Sequence, residues 1–300
     1  LVSIYEYKTS GALMDNIPEF NPKQHDLKSK ATEPVFAGAI FDPLAAIESA
    51  RRVKLARLEP LEAPLGLIPT TSFSSLSNFE KCPWHLYLTK IEKCPDVAGP
   101  AAQRGTEIHD KAENYITGKT IDDEIPKELV KFETLFKDMR SRYSDGAIHV
   151  EEDWGFTRDW EKTGYYAKDV WLRMKLDALD MESPTSAQVY DWKTGRKFGN
   201  EVKHGQQALL YVIGTFALFP ELEYIKSNMV YTDKGEIMTT GYSRDQAMLF
   251  FDRFNLRFNQ ATTCIDFKPT PNATSCRWCP HAKVQEGLDN PACQWRYAPH

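Results

Sequence analysis

The chain has 300 residues, with 37 Lys and Arg against 42 Asp and Glu and a formal charge of −5. Its 42% hydrophobic and 26% charged residues are ordinary for a globular protein and exclude a disordered or fibrous chain. No apolar run is long enough to cross a membrane and no signal-peptide pattern opens the chain, so no membrane partner is expected; the mildly acidic balance leaves nucleic-acid binding to a local basic groove or a metal site.

Residues 1–67 read as an N-terminal extension and linker with one helix, over 42–58, where Pro43 takes the first helical position. The Pro-marked stretch 59–69 reads as a linker, and residues 68–300 as the main domain. The spacing then predicts a helix over 74–88 interrupted by Pro83, a second over 101–116 ending at Gly118, and a third over 126–143. Strands are expected at 148–156, 165–180 and 187–193, followed by a mostly apolar helix over 206–219. A hairpin over 224–231 and 236–242 turns through Thr232-Asp233-Lys234-Gly235, and Ser243 caps a last helix running to about 262. Helices, three strands, a helix, two strands and a helix make an α/β domain, with no internal repeat.

The most informative residues are Asp177 and, fourteen positions on, Asp191-Trp192-Lys193. Asp191 and Lys193 are two apart on a strand, so their side chains share a face. Two acids and a lysine on one face suit a hard divalent cation with a water beside it, or a surface salt-bridge patch. His109 and Glu113 lie four apart on a helix, where an imidazole can join carboxylates around a metal or simply sit on the surface. Gln207 and Tyr211 are likewise four apart on the helix after the Asp-x-Lys strand, as site support or as ordinary helix residues.

The order of these pieces carries more than any one of them. Gly-x-x-x-His on a helix, Asp177 on a strand, Asp191-x-Lys193-x-Gly195 on the next and Gln207-x-x-x-Tyr211 on a helix resembles the RecB-like branch of the PD-(D/E)xK nuclease superfamily, over about residues 70–295. The resemblance implies a restriction-endonuclease-like core, a central mixed sheet flanked by helices. It implies that His109, Asp177, Asp191 and the Trp192 carbonyl bind Mg²⁺ or Mn²⁺, that Lys193 activates the attacking water, and that Gln207 and Tyr211 support the site. Glu151 or Glu152, at the start of the preceding strand, stands where such proteins often carry a further acid.

The chain carries Cys82, Cys94, Cys264, Cys276, Cys279 and Cys293. With no secretion signal, they point to a reducing, cytoplasmic compartment rather than a disulfide framework. Cys276-x-x-Cys279 suits zinc, redox chemistry or an iron–sulfur cluster. One distant cysteine plus a C-terminal trio resembles the iron–sulfur staple of AddB and of CRISPR-associated RecB-like nucleases. That resemblance implies a [4Fe–4S] cluster on Cys82, Cys276, Cys279 and Cys293, with structural Zn²⁺ as the alternative. The long gap before Cys293 leaves Cys264 as a substitute and His281 as a zinc-type ligand; Cys94 reads as a plain thiol.

The activity expected is that of a metal-dependent DNA exonuclease acting on DNA ends or single strands. Trp84, Trp171 and Trp192 are candidates either for stacking on unpaired bases or for the core. No nucleotide-binding Gly-x-x-x-x-Gly-Lys-Ser/Thr is present, so a compact form serving phage or mobile-element DNA replication and recombination is expected, with residues 1–67 free to meet a protein partner. The rivals are a CRISPR-adaptation nuclease and a non-catalytic DNA-end-binding subunit.

Overall fold

The computed structural model describes residues 65–95, 99–120, 124–195, 199–284 and 291–296. The helix expected over 42–58 and nearly all of the extension lie outside the described residues.

The expected 74–88 helix is two helices, α1 (Phe73–Lys81) and α2 (Pro83–Lys90). Pro83 cannot donate a backbone hydrogen bond, so the chain extends at Cys82 (φ −166°) and restarts with the proline in the first turn. α3 (Pro100–Ile116) matches its forecast and buries Ile108, Ala112, Tyr115 and Ile116 on one stripe. The third expected helix begins as a turn and a 3₁₀ segment (Val130–Phe132), leaving α4 as Glu133–Ser144.

Among the described residues seven strands form one mixed sheet: β1 (Thr71–Ser72), β2 (Ile148–Phe156), β3 (Lys162–Thr163), β4 (Leu172–Ser183), β5 (Ser186–Lys193), β6 (Tyr224–Tyr231) and β7 (Glu236–Ser243). Their order is β3-β2-β4-β5-β6-β7, with β1 parallel to the start of β4. Neighbours along that path are antiparallel except β5 and β6, which are joined by α5 (Glu201–Leu218) as a crossover. The expected strand over 165–180 is corrected: its first residues turn, with the Ala167 N–H on the Gly164 carbonyl, and β4 runs three residues further than forecast, to Ser183. Asp177 therefore sits in the middle of a strand. The last helix is also interrupted, giving α6 (Arg244–Met248) and α7 (Phe251–Thr262); Ser243 caps α6 in a capping box with Gln246. A short α8 (Ala273–Arg277) follows.

Helices cover both faces of the sheet. On one, α1, α5, α6 and α7 close a core of Trp154, Phe156, Leu172, Met174, Leu176, Val189, Ile213, Phe216 and Phe258. On the other, α3 and α4 pack Ile108, Tyr115, Phe136 and Met139 against Ile148, Ala178, Tyr190, Trp192 and Val230. Gly214 lets α5 approach β4 closely, since a Cβ there would sit 2.6 Å from Met174 Sδ. Trp171 and Trp192, each 1% exposed, belong to these cores and are not available to stack on bases.

One strand residue has an unusual backbone conformation. Glu151, in β2, has φ +52°, the left-handed region that non-glycine residues avoid. Ladder pairing continues on either side, at Val150↔Ala178 and Glu152↔Leu176. Ile148 and Val150 pack toward α3 and α4, whereas Trp154 and Phe156, which share their parity, pack in the core under α5. The strand thus changes core across Glu151, and β4 does the same opposite it, between Leu176 and Ala178.

Candidate active site

The site forms where β4 and β5 part. Their ladder begins at Ala178↔Tyr190, and beyond it the Asp177 carboxylate replaces a backbone partner, its Oδ2 accepting from the Trp192 N–H at 2.6 Å. α3 brings His109 over this opening. Its Nδ1 lies 3.1 Å from Asp177 Oδ1 and its Nε2 3.0 Å from the Trp192 carbonyl. Glu151 enters from β2, between the paired positions Val150↔Ala178 and Glu152↔Leu176. One ligand atom from each of His109, Glu151 and Asp177 lies within 4.8 Å of the others.

Beside this cluster runs a relay. Lys193 Nζ is 2.5 Å from Asp191 Oδ2 and donates to Gln207 Oε1 at 3.0 Å. Gln207 Nε2 donates to the Tyr211 hydroxyl at 2.7 Å, which fixes the amide with its oxygen toward the lysine. The i,i+4 spacing on α5 and the two-residue spacing on β5 put all four groups in line.

The electrostatics are those of crowded buried acids. Asp191 is 3% exposed, and burial raises its carboxyl despite Lys193, with Asp177 adding repulsion. Burial likewise raises Glu151, partly offset by Lys175, whose Nζ lies 2.7 Å from Oε2. Burial disfavours charge on His109, but the Asp177 hydrogen bond and the charges of Asp177, Asp191 and Glu151 outweigh it and raise the imidazole to about 9. In this protonated form each ring nitrogen faces an oxygen.

The donor set fits a hard divalent cation. Glu151 Oε1 is buried with no hydrogen-bond partner among the described residues. An unpaired carboxylate oxygen facing a second carboxylate is costly unless a cation compensates it. The imidazole can give one nitrogen to that cation and keep the other for the bond that orients it.

His109, Asp177, Asp191, Trp192, Lys193, Gln207 and Tyr211 thus lie in one neighbourhood, in two groups. His109 and Asp177 join the three-residue cluster; Asp191 faces Lys193 instead, and the Trp192 carbonyl meets the imidazole. Of the two acids at the start of β2, Glu151 enters the cluster, while Glu152 pairs with His149 and Trp154 on the other side of the strand. Lys175, which holds Glu151, was missed; an exposed lysine on an alternating strand carries no signal of its own.

The cysteines gather at a second place. Cys82, Cys276, Cys279 and Cys293 line one cavity of about 370 Å³, with Trp84, Trp278 and Trp295 in its wall. Cys82 occupies the break between α1 and α2, and Cys293 donates its N–H to the His281 carbonyl at 2.8 Å. Burial pushes the thiols of Cys279 and Cys293 upward. Cys264 lies outside the cavity, against the Asp266 carbonyl, and Cys94 is not in its wall either.

Among solved structures, the chain is similar to the crystal structure of SSO0001, at 11% identity and a TM-score of 0.38, covering 82% of this chain and 97% of that one. It is also similar to LHK-Exo in complex with dAMP, at 12% identity and a TM-score of 0.34, covering 65% of this chain and 86% of that one. No curated protein matches it. Residues 70–284 match the PD-(D/E)XK nuclease superfamily, a span holding the splayed strands, the acid cluster and the Asp-x-Lys relay. On that match over most of its length, the chain belongs to the PD-(D/E)XK nuclease superfamily.

Proposed function

We propose that the chain is a divalent-metal-dependent deoxyribonuclease of the RecB-like type, hydrolysing phosphodiester bonds at DNA ends or in single strands. The observation that carries this reading is the convergence of His109, Glu151 and Asp177 next to the Asp191–Lys193–Gln207–Tyr211 relay. Mg²⁺ or Mn²⁺, when bound, supplies a nucleophilic water near neutral pH and charge neutralisation of the phosphate.

The chain's own residues supply the rest. His109, Glu151 and Asp177 would hold the ion, with Asp191 and the Trp192 carbonyl at its margin. Lys193 orients the attacking water and places positive charge where the phosphoryl oxygens gain negative charge. Asp191 and Gln207 hold the ammonium in position from two sides, and Tyr211 holds Gln207. A merely end-binding subunit would have no need of this relay.

The cysteine cavity supports a [4Fe–4S] staple on Cys82, Cys276, Cys279 and Cys293. Four thiolates around one zinc, at about 2.3 Å each, stand roughly 3.8 Å apart. Four cysteines in the wall of one cavity suit a cubane with one iron per thiolate, and zinc is the alternative the test below separates. Residues 1–67 are proposed as an extension for a replication or recombination partner in a phage or mobile-element setting, in the cytoplasm. No helix among the described residues is long and apolar enough to cross a membrane.

The test is end-labelled single- and double-stranded DNA with Mg²⁺, Mn²⁺ or EDTA. Products in either metal and none in EDTA support the reading; equal cutting in EDTA defeats it. Anaerobic purification should yield a brown protein, and a colourless one with stoichiometric zinc would replace the cluster by zinc.

A further inference from the structure

A trough borders the active site on the side of Lys175, Gln207 and Tyr211. Its inner part, about 210 Å³, shares Lys175, Gln207 and Tyr211 with the site and is walled by Arg173 and Tyr165. Its outer part, about 440 Å³, shares Ser72, Tyr165 and Arg173 with the inner one and ends at Lys90 and Lys93. The two parts adjoin along this shared wall and make up one trough.

The charge of this path departs from that of the chain. Lys90, Lys93, Arg173, Lys175 and Lys203 line it, and no Asp or Glu does. Only Lys175 is paired with a carboxylate among the described residues, through Glu151. A chain with more acids than bases has put five cations and no acid along the approach to its metal cluster.

An aromatic step stands at the rim of the trough, against its wall residues Tyr165 and Arg173. Tyr166 is 81% exposed. Tyr165 packs edge-on against it at 5.0 Å between ring centroids, and the Arg173 guanidinium lies over both rings at 5.3 and 5.4 Å. Arg173 Nε is tied to the Tyr165 carbonyl at 2.7 Å, so the cation is anchored without being neutralised. Exposing a tyrosine this fully gains nothing for folding. A flat ring beside unneutralised cations is complementary to an unpaired base and its phosphates. A duplex would offer the phosphates but keep its bases stacked on each other.

We propose that this trough is the entry path of a single DNA strand: Tyr166, braced by Tyr165 and Arg173, stacks on a base while Lys90 and Lys93 hold the backbone as the strand runs to the metal cluster. This specifies the substrate of the nuclease reading and rests on it.

The test is fluorescence anisotropy of fluorescein-labelled oligo(dT) in EDTA, where nothing is cut, for wild type, Tyr166→Ala and Lys90→Ala/Lys93→Ala. Tyr166→Ala is expected to weaken binding about tenfold. The double lysine variant is expected to lower the slope of log affinity against log salt by about 0.7 per lysine. A blunt duplex should bind wild type about tenfold more weakly and be insensitive to Tyr166→Ala. All these positions are exposed, so melting temperature and Mn²⁺ affinity serve as folding controls and should hold. If both variants bind oligo(dT) like wild type, or the duplex binds as well as the single strand, the trough assignment is wrong whether or not the protein cuts DNA. If wild type binds oligo(dT) through these residues but never cuts with metal, the nuclease reading fails and the trough stands.

Discussion

Glu151 is the residue at which function and stability should separate most cleanly. Its left-handed backbone costs about 1–2 kcal/mol relative to a glycine at the same place. Its Oε1 is buried without a partner, worth roughly a further 1 kcal/mol of desolvation. Against these stand the ion pair with Lys175, whose side chain is 58% exposed, worth about 0.5 kcal/mol, and the greater unfolded-state entropy of glycine, about 1 kcal/mol. Glu151→Gly should therefore stabilise the metal-free protein by about 1 kcal/mol, or roughly 2–4 °C in Tm for a domain of this size. The same change removes one of three clustered ligands and should weaken Mn²⁺ binding by 10-fold or more. Urea melts in EDTA and Mn²⁺ titration calorimetry measure the two effects. A variant less stable than wild type in EDTA that binds Mn²⁺ equally well would show that Glu151 is a structural residue, and the metal-cluster argument would fail.

Three further outcomes are expected. Tyr211→Phe removes the hydroxyl that sets the Gln207 amide; single-turnover cleavage should slow about tenfold with Mn²⁺ affinity unchanged, and an unchanged rate would remove Tyr211 from the relay. Arg142→Leu strands the buried Asp180 carboxylate and should cost about 3 kcal/mol in urea melts, against less than 1 if the pair were an ordinary surface one. His204 is held down to about 4 by burial and by the charges of Lys193 and Lys203, and its Nδ1 meets the Tyr231 hydroxyl at 2.9 Å. The unfolded chain takes up that proton below about pH 6.5 while the folded one does not until about pH 4, so stability falls as pH drops through this window. His204→Gln should lose less Tm than wild type between pH 6.5 and 4, and parallel curves would refute the assignment.

Asp191 with Lys193, and Gln207 with Tyr211, were legible because strand period 2 and helix spacing i,i+4 are written directly into the chain. Their meeting was not, since it depends on the close approach of α5 to β4 that Gly214 allows. Glu151 could not be told from Glu152 by pattern. Alternation along 148–156 reads as one continuous face, but Ile148 and Trp154, on either side of the left-handed Glu151, pack in opposite cores without disturbing that alternation. Pro83 marked a break correctly; the grouping of Cys82 with the three C-terminal cysteines came from the family resemblance and from no local pattern, and the four line one cavity. Trp171 and Trp192 were ambiguous as sequence, because a large aromatic beside a charged site suits stacking or packing equally; burial decides for packing.

The account turns on Lys193. Its ammonium lies between Asp191 and Gln207, and the proposed mechanism has it orient the water and face the phosphate. Single-turnover cleavage of end-labelled DNA by Lys193→Ala, at saturating Mn²⁺ and enzyme, is the direct test. A loss of about 10²–10³ in rate is predicted, the scale seen when one preorganised charge donor is removed from a transition state. Cleavage at the wild-type rate would contradict the mechanism.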